Sequence, residues 1–200
     1  MPERDVTVGQ LLLIEYQTVK DEQKTRIGFR DNLLYVTLTV VAAVIAASAQ
    51  AGRPAMLLAL PPVCVVLGWT YLVNDQKISA IGRYVREDLG PRLARLARSE
   101  EVGGSGASGA SGQAGEGGEG AEVFGWERVH RGDRRRRSRK AVQCVIDLLA
   151  FCLVPLAGLT VYWTGGQGSG GLLVVSVVEA LAVVGLGAQV VSYAGANTSG

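Results

Sequence analysis

No charged side chain occurs in four long runs of this chain, residues 32–52, 54–74, 148–178 and 180–200. A bilayer core is about 30 Å thick and an α-helix rises about 1.5 Å per residue, so roughly 20 apolar residues cross it. Transmembrane helices are therefore expected near Leu33–Gln50, Ala55–Val73, Ala141–Trp163 and Gly171–Tyr193. The third run is too long for one span. "TGGQGSGG" at 164–171 breaks it, because five glycines without a charge favour a tight turn over a helix.

A soluble bundle with buried helices is the competing reading, and periodicity argues against it. "LLYVTLTVVAAVIAASA" and "LLVVSVVEALAVVGLGAQVV" are apolar on every face, whereas a soluble helix keeps a polar stripe. The first run begins after 31 residues carrying eleven charges, the pattern of an internal signal anchor and not of a cleaved leader. Cys64, Cys144 and Cys152 all fall in apolar segments, which suits small packing residues and no disulfide framework.

Charge sets the orientation. Of 20 Lys and Arg residues, five precede the first span, fourteen lie in 75–140, and Arg53 stands alone in the other connections. Basic residues near membrane ends are retained in the cytoplasm. The expected fold is thus an all-α integral membrane protein with four transmembrane helices in two hairpins. Both termini and the 75–140 loop are cytoplasmic, and the expected location is a bacterial inner membrane. "RGDRRRRSRK" abuts the third span, so Arg134, Arg135, Arg136, Arg137, Arg139 and Lys140 read as a topology signal with attraction to anionic headgroups. Nucleic acid is not an expected partner, since no aromatic residues interleave these charges. The RGD tripeptide and the Asn197-Thr-Ser sequon face the wrong compartment and are chance matches.

The division is residues 1–31, a cytoplasmic amphipathic helix; 32–74, the first hairpin; 75–102, a second cytoplasmic helix; 103–140, a Gly/Ser-rich linker with the basic segment; and 141–200, the second hairpin. Thr7-Val-Gly-Gln10 has the form of a capping box. Beyond it Leu12, Val19 and Ile27 form an apolar stripe, matched after the hairpin by Ile81, Val85 and Leu89. The connection at 51–54 is too short for anything but an antiparallel turn. Counting outward from it sets Ile27 near Ile78 and Ile81, Val19 near Val85 and Leu89, and Leu12 near Leu93 or Leu96. Asp21 and Glu22 are expected to face Arg83 and Arg86. Gly90-Pro91 should end or kink the second helix. The linker "GGSGASGASGQAGEGGEGA" leaves the two hairpins without rigid coupling.

"EYQTVKDEQKTRIGFRDNLLY", an apolar hairpin, and "YLVNDQKISAIGRYVREDLGPRL" together resemble a group of uncharacterised bacterial integral membrane proteins. These carry a Glu-Tyr-x-x-hydrophobic-(Lys/Arg) stretch before the hairpin and Ile-Gly-x-Tyr-(Ile/Val)-Arg after it. The resemblance covers about residues 11–96 and implies no activity. The layout is also similar to two-span effector modules of bacterial conflict systems, which implies no residue roles.

Ionisable residues inside a span are costly and default to functional candidates. Glu179 lies eight residues into the fourth span, with no basic residue of the spans in reach. Asp147 lies seven residues past Lys140, where it could snorkel or pair with Arg139 or Lys140. Pro61-Pro62 and Pro155 are candidate breaks in the second and third spans. One histidine, His130, excludes a triad or a His-based metal cluster, so no catalysis and no cofactor are expected. The expected function is a non-enzymatic membrane scaffold, homo-oligomeric in the bilayer, offering the two cytoplasmic helix faces to a protein partner. The alternative is an oligomeric pore-forming effector with Glu179 along its path.

Overall fold

Helices form every regular element in the computed structural model, which describes residues 7–104, 136–165 and 170–196. Arg134, Arg135, most of the glycine-rich linker and the turn at 166–169 lie outside the described residues. The order is α1 (Val8–Ala51), a 3-10 segment (Pro54–Ala59), α2 (Leu60–Tyr84), a π-helical turn (Val85–Leu89) and α3 (Gly90–Gly104). After the linker come α4 (Arg136–Leu148), a second π-helical turn (Leu149–Leu153), α5 (Val154–Thr164) and α6 (Gly170–Ala196). Among the described residues four helical stretches are long and apolar enough to cross a membrane: Val8–Ala51, Pro54–Ser99, Ala141–Thr164 and Gly170–Gly195. The chain falls into two compact units, one drawn from Met1–Arg26 and Lys77–Asp133, the other from Ile27–Gln76 and Arg134–Gly200.

Local chemistry explains the element ends. The capping box forms as expected: the Gln10 amide donates to Thr7 Oγ1 and the Thr7 amide to Gln10 Oε1, both at 3.3 Å. Two of the donors orphaned at a helix start are thereby satisfied. At the far end Gly52 takes φ +60, a conformation cheap only for glycine. This lets Arg53 N reach Ser48 O at 3.2 Å and Gly52 N reach Ala49 O at 3.3 Å. That pair of bonds is the Schellman closure, and it turns the chain back at once.

The prolines act in two ways. Pro61 and Pro62 stand in the first turn of α2, where backbone donors have no intrahelical partner, so they start the helix and do not break a span. Pro91 and Pro155 each follow a π-helical turn at the same spacing, the turns ending at Leu89 and Leu153. A proline ring clashes with the carbonyl four residues earlier. Widening the preceding turn moves that carbonyl aside, and the helix continues in both places. Gly90-Pro91 thus neither ends the helix nor leaves it regular.

In the second unit the apolar half of the structure is inside out. Tyr35, Val66, Val174 and Leu181 are 68%, 64%, 66% and 67% exposed, while Thr37, Ser48, Asn74, Asp147 and Ser176 are buried. A soluble protein rarely leaves so much contiguous apolar surface uncovered. The buried hydroxyls stay satisfied locally: Thr37 donates to Leu33 O at 2.7 Å, and Ser176 accepts from Trp163 Nε1 at 2.9 Å.

The core of this unit draws on both hairpins. Leu33 and Tyr71 cluster with Ala150, Phe151, Cys152, Val183 and Leu186, and Val41 clusters with Leu57, Leu60 and Cys64. The linker therefore does not leave the hairpins uncoupled. Glycines permit the close approach. A Cβ on Gly68 would stand 2.7 Å from Leu186 Cδ2 and 3.0 Å from Phe151, and one on Gly158 would stand 3.0 Å from Leu60 Cδ1.

Candidate functional site

The second unit gathers polar side chains from all its long helices where the apolar runs begin and end. Arg30, three residues before the first apolar stretch on α1, pairs with Asp75 just past the second on α2, at 3.0 Å. Arg30 also reaches its neighbour Asp31 at 3.2 Å. The Tyr193 hydroxyl of α6 donates to the Asp75 carbonyl at 3.4 Å. Beside this, Gln143 of α4 donates through Nε2 to Tyr71 Oη and, at 3.1 Å, to Asp147 Oδ1. Tyr71 in turn is hydrogen-bonded to Asp147. Arg30 and Asp75 are both within electrostatic reach of that carboxylate.

Asp147 is 8% exposed and faces inward, where the Gln143 amide reaches it. The reason is register. Gln143 and Asp147 are one turn apart on a single face of α4, and that face is the one turned toward Tyr71. With two donors, this carboxylate has partners to offset part of its desolvation. The arrangement ties α2 to α4 through polar side chains.

Glu179 lies on the inward side of α6, in the row of Ser176, Val183 and Leu186. Its Oε2 is buried and has no hydrogen-bond partner among the described residues, as is also true of the Tyr162 hydroxyl. Asp147 and Glu179, the two intramembrane candidates, thus differ sharply. One is satisfied and the other carries an orphaned oxygen.

In the first unit, Leu12, Val19 and Ile81 are half-buried, while Val85 and Leu89 are 3% and 0% exposed. These faces turn into the protein and are not a free surface for a partner. Gln23 lies 3.5 Å from where a Gly82 Cβ would stand, and the Tyr84 hydroxyl donates to Glu15. That bond holds the Tyr84 phenol pKa above its ordinary value. The antiparallel register counted from the hairpin turn is close to this pairing. Ile27 departs from the expectation, being 38% exposed, because the inward row of α1 runs through Gln23, Arg26 and Arg30 instead. Asp21 and Glu22 pair along their own helix, with Lys24 at 3.5 Å and Arg26 at 2.6 Å, and not across it. On the part of α1 that belongs to the first unit, Val8, Leu11, Leu13 and Ile14 are exposed apolar residues.

Of the basic topology residues, Arg136, Arg137, Arg139 and Lys140 occupy the first turns of α4. Among the described residues no group of three His, Cys, Asp or Glu side chains is placed to hold a metal, and the three cysteines form no disulfide. Sequence reasoning missed Tyr71, Gln143, Arg30 and Asp75. The available signals were the i, i+4 spacing of Gln143 and Asp147, and opposite charges flanking both ends of one hairpin. Compared with protein-family models, curated proteins and solved structures, the chain matches none.

Proposed function

We propose that this protein is a multi-pass membrane scaffold without enzymatic activity, which offers its helical extensions to a protein partner on the cytoplasmic side. The observation that carries the reading is the uncovered apolar tip of α1: Val8, Leu11 and Ile14 recur on one face and are 65%, 56% and 56% exposed. The inward face of the same helix is already occupied. The apolar exterior of the second unit supports insertion in a bilayer, and the excess of basic residues in 1–31 and 75–140 supports a cytoplasmic location for both extensions. A bacterial inner membrane fits the resemblance noted above, which supplies no activity.

Photo-crosslinking in cells checks this. Benzoylphenylalanine at Leu11 or Ile14 is expected to give discrete adducts larger than the monomer, and at exposed Gln17 none. Monomer alone at all three positions removes the reading.

The orphaned oxygen of Glu179 favours a second reading, a pore assembled from several copies. An unpaired carboxyl within a span costs several kcal/mol unless water or a neighbour reaches it. Membrane potential in induced cells separates the two. Under the scaffold reading, wild type and Glu179→Gln both leave the potential unchanged; depolarisation by wild type alone transfers the assignment to the pore.

A further inference from the structure

The turn that closes the first hairpin carries a groove and a charge that the scaffold reading leaves unused. A groove of about 330 Å³ opens on the outside of the second unit, between α1 and the 3-10 segment. Thr39, Ala43 and Ala47, about one turn apart along α1, form one wall with Val44, and Met56 and Ala59 form the other. The hollow exists because alanines stand where longer side chains would fill it. It runs about 12 Å along α1 from Thr39 to Ala47, at about 1.5 Å per residue. The only hydroxyl lining it, Thr39 Oγ1, is turned back on its own helix and donates to Tyr35 O at 2.9 Å.

Arg53 stands at the turn end of this groove. It is exposed and starts the 3-10 segment, where Met56 N donates to Arg53 O at 3.1 Å. Side chains three apart in such a turn eclipse one another, so Arg53, Met56 and Ala59 succeed each other along one flank. No Asp or Glu occurs in the sequence between Asp31 and Asp75. The Arg53 guanidinium has no ion pair among the described residues.

We propose that this groove holds one acyl chain of an anionic glycerophospholipid whose phosphate sits at Arg53. The chemistry matches at both ends. A phosphate diester takes charge-assisted hydrogen bonds from a guanidinium. An aliphatic channel running inward from that charge takes a hydrocarbon chain and leaves no polar group stranded. The other occupants each fail on one count. A soluble anion leaves the groove bare, and a lipid without net charge leaves Arg53 unpaired. A second copy inserted the same way brings its own Arg53 level with this one and sets like charges together. The proposal rests on the membrane reading of the second unit and not on the partner of α1.

Photolabelling of the full chain in phosphatidylcholine vesicles tests it. Phosphatidylglycerol and phosphatidylcholine probes, each with a mid-chain diazirine, are compared, and adducts are mapped by peptide mass spectrometry. Labelling of the groove walls is scored against Val174 and Leu181, which are exposed on α6 and sample ordinary bilayer lipid. The groove-to-reference ratio is expected to be about fivefold higher with the phosphatidylglycerol probe, the factor that one basic residue near a membrane surface supplies. Arg53→Gln is expected to lose that preference. The double variant Ala43→Leu/Ala47→Leu, which fills the hollow, is expected to lose groove labelling by either probe. Equal ratios for the two probes in the wild type overturn the proposal, as does a preference that survives Arg53→Gln or labelling that survives in the filled variant. Groove labelling that vanishes as protein is packed more densely in the vesicle gives the groove to a second copy and overturns it too. If the filled variant does not fold, the wild-type ratio and Arg53→Gln still decide. A chain that neither probe labels at Val174 and Leu181 sinks the membrane reading itself, an outcome distinct from equal ratios.

Discussion

Gly68→Val is expected to destabilise the helical core of the second unit by about 1–3 kcal/mol, the usual cost of forcing extra methyl groups into a packed interior. Even the first added carbon would stand 2.7 Å from Leu186 Cδ2 and 3.0 Å from two atoms of the Phe151 ring. The leucine tip can swing aside. The ring cannot do so freely, because Phe151 is 1% exposed and the Tyr71 ring packs on it at a tilt of 43°, with centroids 5.3 Å apart. Valine adds two further methyls at a position where the first added carbon already stands too close to Leu186 of α6. Gly185 supplies the control. It lies on the same α6 as Leu186, but a Cβ there meets nothing within 4 Å. Gly185→Val should therefore stay within about 0.5 kcal/mol of wild type. Helicity followed through an SDS titration of the purified protein gives both numbers. Equal midpoints for the two variants would mean that α2 and α6 do not meet at Gly68.

How far such contacts could be read from the sequence depends on their origin. Helix type, span length and the hairpin turn follow from local rules, so charge-free runs and glycine and proline placement reveal them. The capping box at Thr7 and Gln10 is local in the same sense, and it forms with both bonds. The pairing of α1 with α2 was legible because a four-residue connection leaves one antiparallel register. The union of the two hairpins was not. It depends on Phe151 and Leu186 meeting a glycine in another helix, and a lipid-facing glycine and a core glycine look alike in one sequence. The partners of Asp147 on another helix were not legible for a related reason: the helical face that carries Asp147 also carries Gln143 and points at Tyr71. Ile27 fails by a single helical step, about 100°, which suffices to exchange a buried position for an exposed one.

Tyr71→Phe and Asp147→Leu are each expected to cost about 1–3 kcal/mol, and the double variant less than the sum of the two. Tyr71→Phe keeps the ring that packs on Phe151 and removes only the hydroxyl. Asp147 then loses one of its two donors while remaining 8% exposed. Asp147→Leu removes the acceptor and strands both the Tyr71 hydroxyl and one Gln143 N–H. Two effects compete there. Taking a carboxylate out of an apolar interior is favourable in itself, and buried ion pairs are often replaced by apolar groups at little cost. The stranded donors oppose that gain, because each unpaired polar group in a dry interior retains its full desolvation penalty. In the double variant the hydroxyl is gone and only Gln143 is left to find a partner, so the second change costs less than it does alone. A coupling of about 1 kcal/mol or more in the SDS-titration cycle is the expected result. Strict additivity would show that Tyr71 and Asp147 are neighbours without being partners.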